Sequence, residues 1–560
     1  MLQSTRSRTA FGNTPLLLVC CLYALFIAVS VPLQQQMLVI SLPPEWDLSL
    51  ASGLSLVLLW TLSFAVIGLA AALSPSWETP SGRILEWLER RATPVILLAT
   101  AMAVVAPLIV ARWVLDTFPN SADEHAYIFQ ARHLAAGKLW EEVPPLGDVF
   151  VAYRTWVFGD KLVSQYPPGW PLVLALAVVV GLPLWATNAL VGGASAAALA
   201  STARRCSSRA AACLVALIYV ATPFYVFNAA SFHSHVLSAL CILVTCMGCM
   251  RYSESGSLPF LVLAGIGMGI LGLSRYMSLA LLLPALAWWA LLVERRRLKT
   301  IVATLALTGL PFLAFLLLYQ DAVTGSPLKS TYEVITEPEI QVSFDPWQML
   351  RGARFTIQRV MELGVWTSPV LLALYGAALL VKIVQRSLRF YDLVFPSFVL
   401  GYILFATLGG NRYGPRYYFD AFPLVLATIA SAGPQLVDWG RRLWGRPVAL
   451  HAVLICLLYA LTAYPAMIPA YHEQVTSRQD VYRLAQAMKL ENAIVILKSR
   501  PGFGMRADDL ARNGTTLDGP VLYARAHATP EQLRAAFPGR SIWVYTRGDP
   551  HQPGRLTPVD

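Results

Sequence analysis

Apolar runs long enough to cross a bilayer core recur along the chain from Pro15 to Pro469, separated by short stretches that carry arginine. The runs read as Pro15 to Val31, Gly53 to Leu73, Pro94 to Leu115, Trp170 to Thr202, Ala210 to Phe227, Val236 to Met250 and Leu258 to Leu273. Met277 to Val293, Ile301 to Tyr319, Thr367 to Val384, Tyr391 to Leu408, Phe419 to Val437 and Val448 to Pro469 follow. The run from Trp170 to Thr202 is long enough for one span plus a short re-entrant piece, broken near Gly181 and Pro183. That pattern predicts an all-α polytopic membrane protein of about thirteen transmembrane helices.

Charge orients the spans. Arg6 and Arg8 precede the first run and place the N-terminus in the cytoplasm, on the positive-inside pattern. Arg83, Arg90 and Arg91, then Arg204, Arg205 and Arg209, then Arg295 to Lys299, mark successive inner loops. An odd span number puts the tail on the other, extracytoplasmic side, as in a bacterial-type inner (plasma) membrane. Two outer connections are much longer than a link between spans needs, 116–168 and 320–366, and such loops tend to carry function. In the first, Phe150 to Phe158 and Lys161 to Tyr166 flank Gly159-Asp160, a hairpin turn pattern.

From Ala470 the periodicity changes to that of a soluble chain. Val481 to Leu490 predicts a helix, and Ala493 to Leu497 a strand. Thr529-Pro530-Glu531 caps a helix running to Phe537, and Ser541 to Thr546 is a second strand. Gly502 and Gly504 lack dinucleotide-fingerprint spacing and predict a loop. The expected domains are thus extra transmembrane helices over 1–93, a membrane module over 94–469, and a small soluble α/β domain over 470–560.

Composition agrees. Of 560 residues, 56% are hydrophobic and 13% charged, the latter about half the share in soluble proteins. The net charge of +11 is spread among the inner loops, not gathered on one patch, and nucleic acid is excluded as a partner. None of the eight cysteines falls in an outer segment on this topology, so no disulfide framework is expected.

Candidate chemistry gathers on the outer face. Asp123 and Glu124 open a helix directly after the third run, ending at Gly137-Lys138. Ser121 and Glu124 also satisfy a capping box, a purely structural use of the acid. Arg275, Arg412 and Arg416 lie at outer ends of spans, where the positive-inside pattern gives no reason for them. Arg412 and Arg416 share a short loop with Asn411, Tyr413, Tyr417 and Tyr418, and guanidinium with phenol suits phosphate. His233 and His235, two apart and without a metal-ligand pattern, predict a polar lining. Tyr166 precedes the Pro167-Pro168 entry to the next membrane segment.

An outer loop opening with Asp123-Glu124-x-x-Tyr127 and closing in a Pro-Pro entry, followed by outer-end cations in Arg412-Tyr-Gly-Pro-Arg-Tyr-Tyr418, resembles the GT-C glycosyltransferases that use polyprenyl-phosphate sugars. The groups most similar are the protein O-mannosyltransferases and the lipid A aminoarabinose transferases. The resemblance spans roughly Pro94 to Pro469. Two spans ahead of the motif loop depart from the simplest family layout. So does Tyr166, where some relatives carry Lys or His.

The resemblance implies inverting transfer of a hexosyl or pentosyl group from a polyprenyl-phosphate donor to an acceptor hydroxyl on glycan, lipid or protein, at the outer face. It implies no metal and no cofactor beyond the lipid-linked sugar. Asp123 would be the general base, which works best if burial raises its pKa toward neutrality. Glu124, about 100° away around the helix, would orient the acceptor or serve the cap. Arg275, Arg412 and Arg416, with Tyr413 and Tyr417, would hold the donor phosphate. Tyr127, Tyr166, His233 and His235 would line the substrate pocket. A transporter or flippase of a lipid-linked glycan is the alternative, and would show matching broken helices in two halves.

Overall fold

The computed structural model describes residues 14–41, 50–73, 78–334, 342–404, 412–444, 448–499, 506–514, 516–549 and 551–559. Arg6, Arg8, Asn411, Arg446 and the expected loop at Gly502 and Gly504 lie outside them. Among the described residues seven helices are long and apolar enough to cross a membrane, or up to eleven if each bent helix pair is one span. The mostly helical membrane fold agrees with expectation, and two of the thirteen expected runs fall outside that count. Leu258–Ser274 is a short apolar helix of 17 residues. In the run from Tyr391 the described residues form a 3-10 turn, Phe390–Leu393, continued by the helix Val394–Tyr402, and residues 405–411 lie outside the described ones. The chain is a multi-pass membrane protein. Leu307, Leu310 and Leu318 of Leu298–Thr324 stay exposed, which suits lipid and not water.

Bends in the membrane segments fall where the sequence breaks them. Gly169–Val179 and Leu184–Cys206 lie 115° apart. Gly181, at φ +73°, and Pro183 occupy the break, as expected. The outer connection 320–366 differs from expectation, because it contains the helix Pro346–Trp366. Asp345 caps that helix by accepting from the Trp347 and Gln348 N–H groups at 3.0 Å, with Pro346 in the first turn.

The C-terminal unit is α/β. Its sheet runs Val521–Arg525, Ala493–Leu497, Ser541–Thr546, Arg555–Pro558, the first three parallel and the last antiparallel. Every residue of Ala493–Leu497 is buried, as a central parallel strand requires. Two expected strands and the Thr529-capped helix, Pro530–Ala536, are present. The expected helix from Val481 is not separate: one 40-residue helix, Val448–Ala487, leaves the membrane and enters this unit without interruption. Pro465 and Pro469 lie inside it, so neither proline ends the span.

Candidate active site

The Asp-Glu helix is Ala122–Ala135. Consecutive left-handed residues Asp116 and Thr117, at φ 51° and 52°, turn the chain out of the span Ala92–Trp113. Ser121 is extended, and its hydroxyl accepts from the Glu124 N–H at 3.2 Å. Only this half of the expected capping box forms. The Glu124 carboxyl instead takes the Ser121 hydroxyl at 3.1 Å and the Phe232 N–H at 3.2 Å. Tyr413 O–H reaches it at 3.4 Å. Glu124 is fully buried, and it ties the helix to two membrane-edge loops. Burial raises its pKa above the usual carboxylate value, against the Phe232 N–H and nearby charges.

Asp123 points the other way, as the helical spacing demands. It accepts from Tyr166 O–H at 2.5 Å and from the Arg416 guanidinium, with Arg154 Nε 3.6 Å away. Burial pushes its carboxyl up, but Arg416 and then Arg154 pull harder and hold it well below the usual range. The expected upward shift is therefore absent, because cations crowd the acid more closely than apolar groups do. Arg416 also donates to His233 Nε2 at 2.9 Å. A guanidinium only donates, so that nitrogen carries a lone pair and the imidazole is neutral. Burial and Arg416 both lower the His233 pKa, in agreement. Glu124 Oε1 lies 3.4 Å from the same nitrogen.

A second acid, Asp420, is fully buried in the turn of helix Arg416–Ala421. It bonds Ser278 Oγ at 2.5 Å, His235 Nδ1 at 2.7 Å and Arg275 Nε at 3.1 Å. Arg275 Nη1 reaches Ser234 Oγ at 3.4 Å, which lies 3.2 Å from Tyr127 O–H. Gly169 sits against Leu273 and Ser274 so closely that a Cβ there would collide with them. This approach sets Arg275 beside the Tyr166 loop. Tyr127 and Tyr166 rings lie 4.4 Å apart, and Tyr332 closes the row at 5.8 Å from Tyr166. Tyr417 lies between the two arginines, its ring centre 5.6 Å from Arg275 and 5.9 Å from Arg416.

The structure thus gathers Asp123, Tyr127, Tyr166, His233, His235, Arg275, Arg416 and Tyr417 in one cluster. Tyr413 is placed differently. It is fully buried at φ 55°, stacks on Tyr471 at 5.2 Å and serves Glu124, so it does not line the opening beside Asp123. Arg412 feels Tyr413, Tyr471, Arg416 and Asp509, and acts in turn on Glu124. Sequence reading missed Arg154, Ser234, Ser278, Tyr332 and Asp420. Arg154, an outer-loop arginine, and Asp420, an acid at the start of an apolar run, carried the same signal that marked Arg275. Among the described residues no three of His, Cys, Asp and Glu converge as metal ligands.

Residues 167–319 match the family model described as dolichyl-phosphate-mannose-protein mannosyltransferase. No curated protein matches the chain in sequence. Among solved structures, the crystal structure of apo ArnT from Cupriavidus metallidurans is similar at 14% identity and TM-score 0.51, over 81% of this chain and 93% of that one. Its form bound to undecaprenyl phosphate aligns over the same shares at 14% identity and TM-score 0.48. The oligosaccharyltransferase AglB from Archaeoglobus fulgidus, in complex with an inhibitory peptide and a dolichol-phosphate, aligns at 12% identity and TM-score 0.46, over 75% of this chain and 63% of that one. The resemblance to GT-C glycosyltransferases is borne out, in sequence over residues 167–319 and in fold, that of apo ArnT, over 81% of the chain.

Proposed function

We propose that this protein is a lipid-linked sugar transferase of the outer membrane face, which moves a sugar with inversion from a polyprenyl-phosphate donor to an acceptor hydroxyl. The observation that carries the reading is a pair of opposite exposures. In Asp123–Arg416 the acid is the more open partner, 16% against 9%; in Arg275–Asp420 the arginine is, 15% against 0%. One cluster thereby offers a carboxylate to a proton donor and a guanidinium to an anion. The family description matched over 167–319, a transferase named for a lipid-phosphate sugar, supports the same chemistry.

In the reaction the acceptor oxygen attacks the anomeric carbon as its proton passes to Asp123. The bond from that carbon to the phosphate oxygen breaks, and the lipid phosphate leaves with both electrons. Arg275 stabilises the charge that grows on the leaving group. Glu124, buried and bonded to Ser121, the Phe232 N–H and Tyr413, holds the helix. Asp123 clasped by Arg416 is a weak base. A donor phosphate competes for Arg416 and Arg275 and loosens that clasp, so the acid gains basicity when donor is bound.

The test is transfer from a panel of radiolabelled polyprenyl-phosphate sugars in membranes, wild type against Asp123→Asn. Transfer by the wild type that the substitution abolishes is expected. Equal transfer by both would remove Asp123 from the chemistry, and none by the wild type from any donor would overturn the transferase.

A further inference from the structure

We propose that the C-terminal α/β unit is a working part of the active site: it grips the outer loop at residues 147–153 and thereby sets Arg154 against Asp123. The inference rests on the reading of Asp123 as the base, and deepens it by adding a positioning residue and a role for the C-terminal unit.

The grip is apolar and hydrogen-bonded at once. Val149 and Phe150, both buried, belong to the core built by Ile494, Ile496, Leu522 and Ile542 of the sheet. The Phe150 ring meets Phe537 edge-on at 5.2 Å. Three backbone groups of the loop are then tied in sequence. Phe150 C=O accepts from Asn513 Nδ2 at 2.8 Å, Val151 C=O accepts from Arg525 Nε at 2.7 Å, and Tyr153 N–H donates to Asp508 C=O at 3.3 Å. Arg525 also meets Asp148 at 2.8 Å, but that carboxylate is half exposed and the ion pair adds little. The backbone bond to Val151 is the part that fixes position.

Arg154 comes next in the chain, and its own backbone shows that it is held. It has φ +74°, a left-handed conformation that arginine rarely adopts. Such residues cost about 1–3 kcal/mol and persist where their surroundings over-determine them. Here the surroundings are the gripped segment on one side and the hairpin Thr155–Phe158 with Lys161–Ser164 on the other. Gln165 completes the frame, its N–H donating to Arg154 C=O at 3.3 Å and its Oε1 lying 3.5 Å from Nη1. The result is Arg154 Nε 3.6 Å from Asp123, in the place opposite Arg416. A loop released from the C-terminal unit would have no reason to keep that conformation.

The groups facing Asp123 are Arg416, Arg154, His233 and Tyr166, with Tyr127 and His235 beyond them. Loss of Arg154 removes one of the two guanidiniums and raises the Asp123 pKa, while the other groups stay. If the C-terminal unit acts through Arg154, Arg525→Gln must raise it as well. Two readouts on full-length protein separate this idea from the transferase itself. Infrared titration of the Asp123 carboxylate, assigned by difference from Asp123→Asn, reads its pKa without any turnover. Transfer assays read its consequence.

Arg154→Gln and Arg525→Gln are each expected to move the titration to higher pH and to lower transfer about tenfold, with the double variant again about tenfold down and not a hundredfold. Insertion of two glycines between Tyr153 and Arg154, which leaves both cores intact, is expected to match Arg154→Gln. An unmoved titration in Arg525→Gln or in the insertion variant, or losses that multiply in the double variant, would overturn the proposal. A shifted titration in a protein that transfers no sugar would uphold it and overturn the transferase instead.

Discussion

Two acids in this cluster, each bonded to an arginine, are built in opposite senses. Asp123 opens to the site while Arg416 behind it is more closed; Asp420 is sealed while Arg275 in front of it is open. Asp420 has three partners, Ser278, His235 and Arg275, that satisfy a carboxylate with no room for a further ligand. Asp123 has partners that a competing anion or an incoming hydroxyl can displace. The difference teaches that an acid–cation pair is not one kind of object. The exposed member acts on substrate and the sealed member aims it.

That contrast can be broken from either side. The largest effect belongs to Asp123→Asn, expected to cost transfer about 10²–10⁴-fold, the range for a positioned base, with thermal stability in detergent close to wild type. Asp420→Asn should show the reverse emphasis. It removes the carboxylate that Arg275, His235 and Ser278 share at a fully buried position, a loss of about 3–5 kcal/mol for broken buried pairs, read as a clear fall in melting temperature. Arg275→Gln comes next, with KM for the donor raised roughly tenfold to a hundredfold, the worth of one charge-assisted bond, and a lowered melting temperature because Asp420 is left buried without its cation.

Smaller effects sharpen the same comparison. Asp123 sits below the usual carboxylate range in the free protein, so the acid limb of kcat/KM should lie at low pH. The donor draws the guanidinium away, so the acid limb of kcat should lie at higher pH than that of kcat/KM. Coincident limbs would contradict the competition for Arg416. Tyr166→Phe removes one donor from Asp123 and should shift the kcat/KM limb upward with at most about a tenfold loss of rate.

Much of this was legible in the chain. Apolar length marked the membrane helices, and the bend at Gly181-Pro183 was written in its breakers. The strands at Ala493 and Ser541 followed from β-branched runs. What length alone could not separate was a crossing helix from a short one, as at Leu258–Ser274, an apolar helix of 17 residues. The helix Pro346–Trp366 was announced by Asp345-Pro346, a cap followed by a first-turn proline, inside a stretch taken for loop.

The site divided in the same way. Asp123 and Arg275 stand out because an ionisable group at a membrane edge needs a reason. Their pairing does not, since Asp123 and Arg416 are 293 residues apart in sequence and Ser278 and Asp420 are 142 apart. The direction of the Asp123 shift depended on those partners. Burial was foreseeable from the setting, whereas a guanidinium on each side was not.

The most direct test measures donor binding and single-turnover transfer by Asp123→Asn together. Removing the carboxylate frees Arg416, so the variant should bind a polyprenyl-phosphate sugar at least as tightly as wild type while transfer is lost. Transfer that survives, or donor binding that disappears with the carboxylate, would contradict the assignment of Asp123 as the base and make it part of the binding frame.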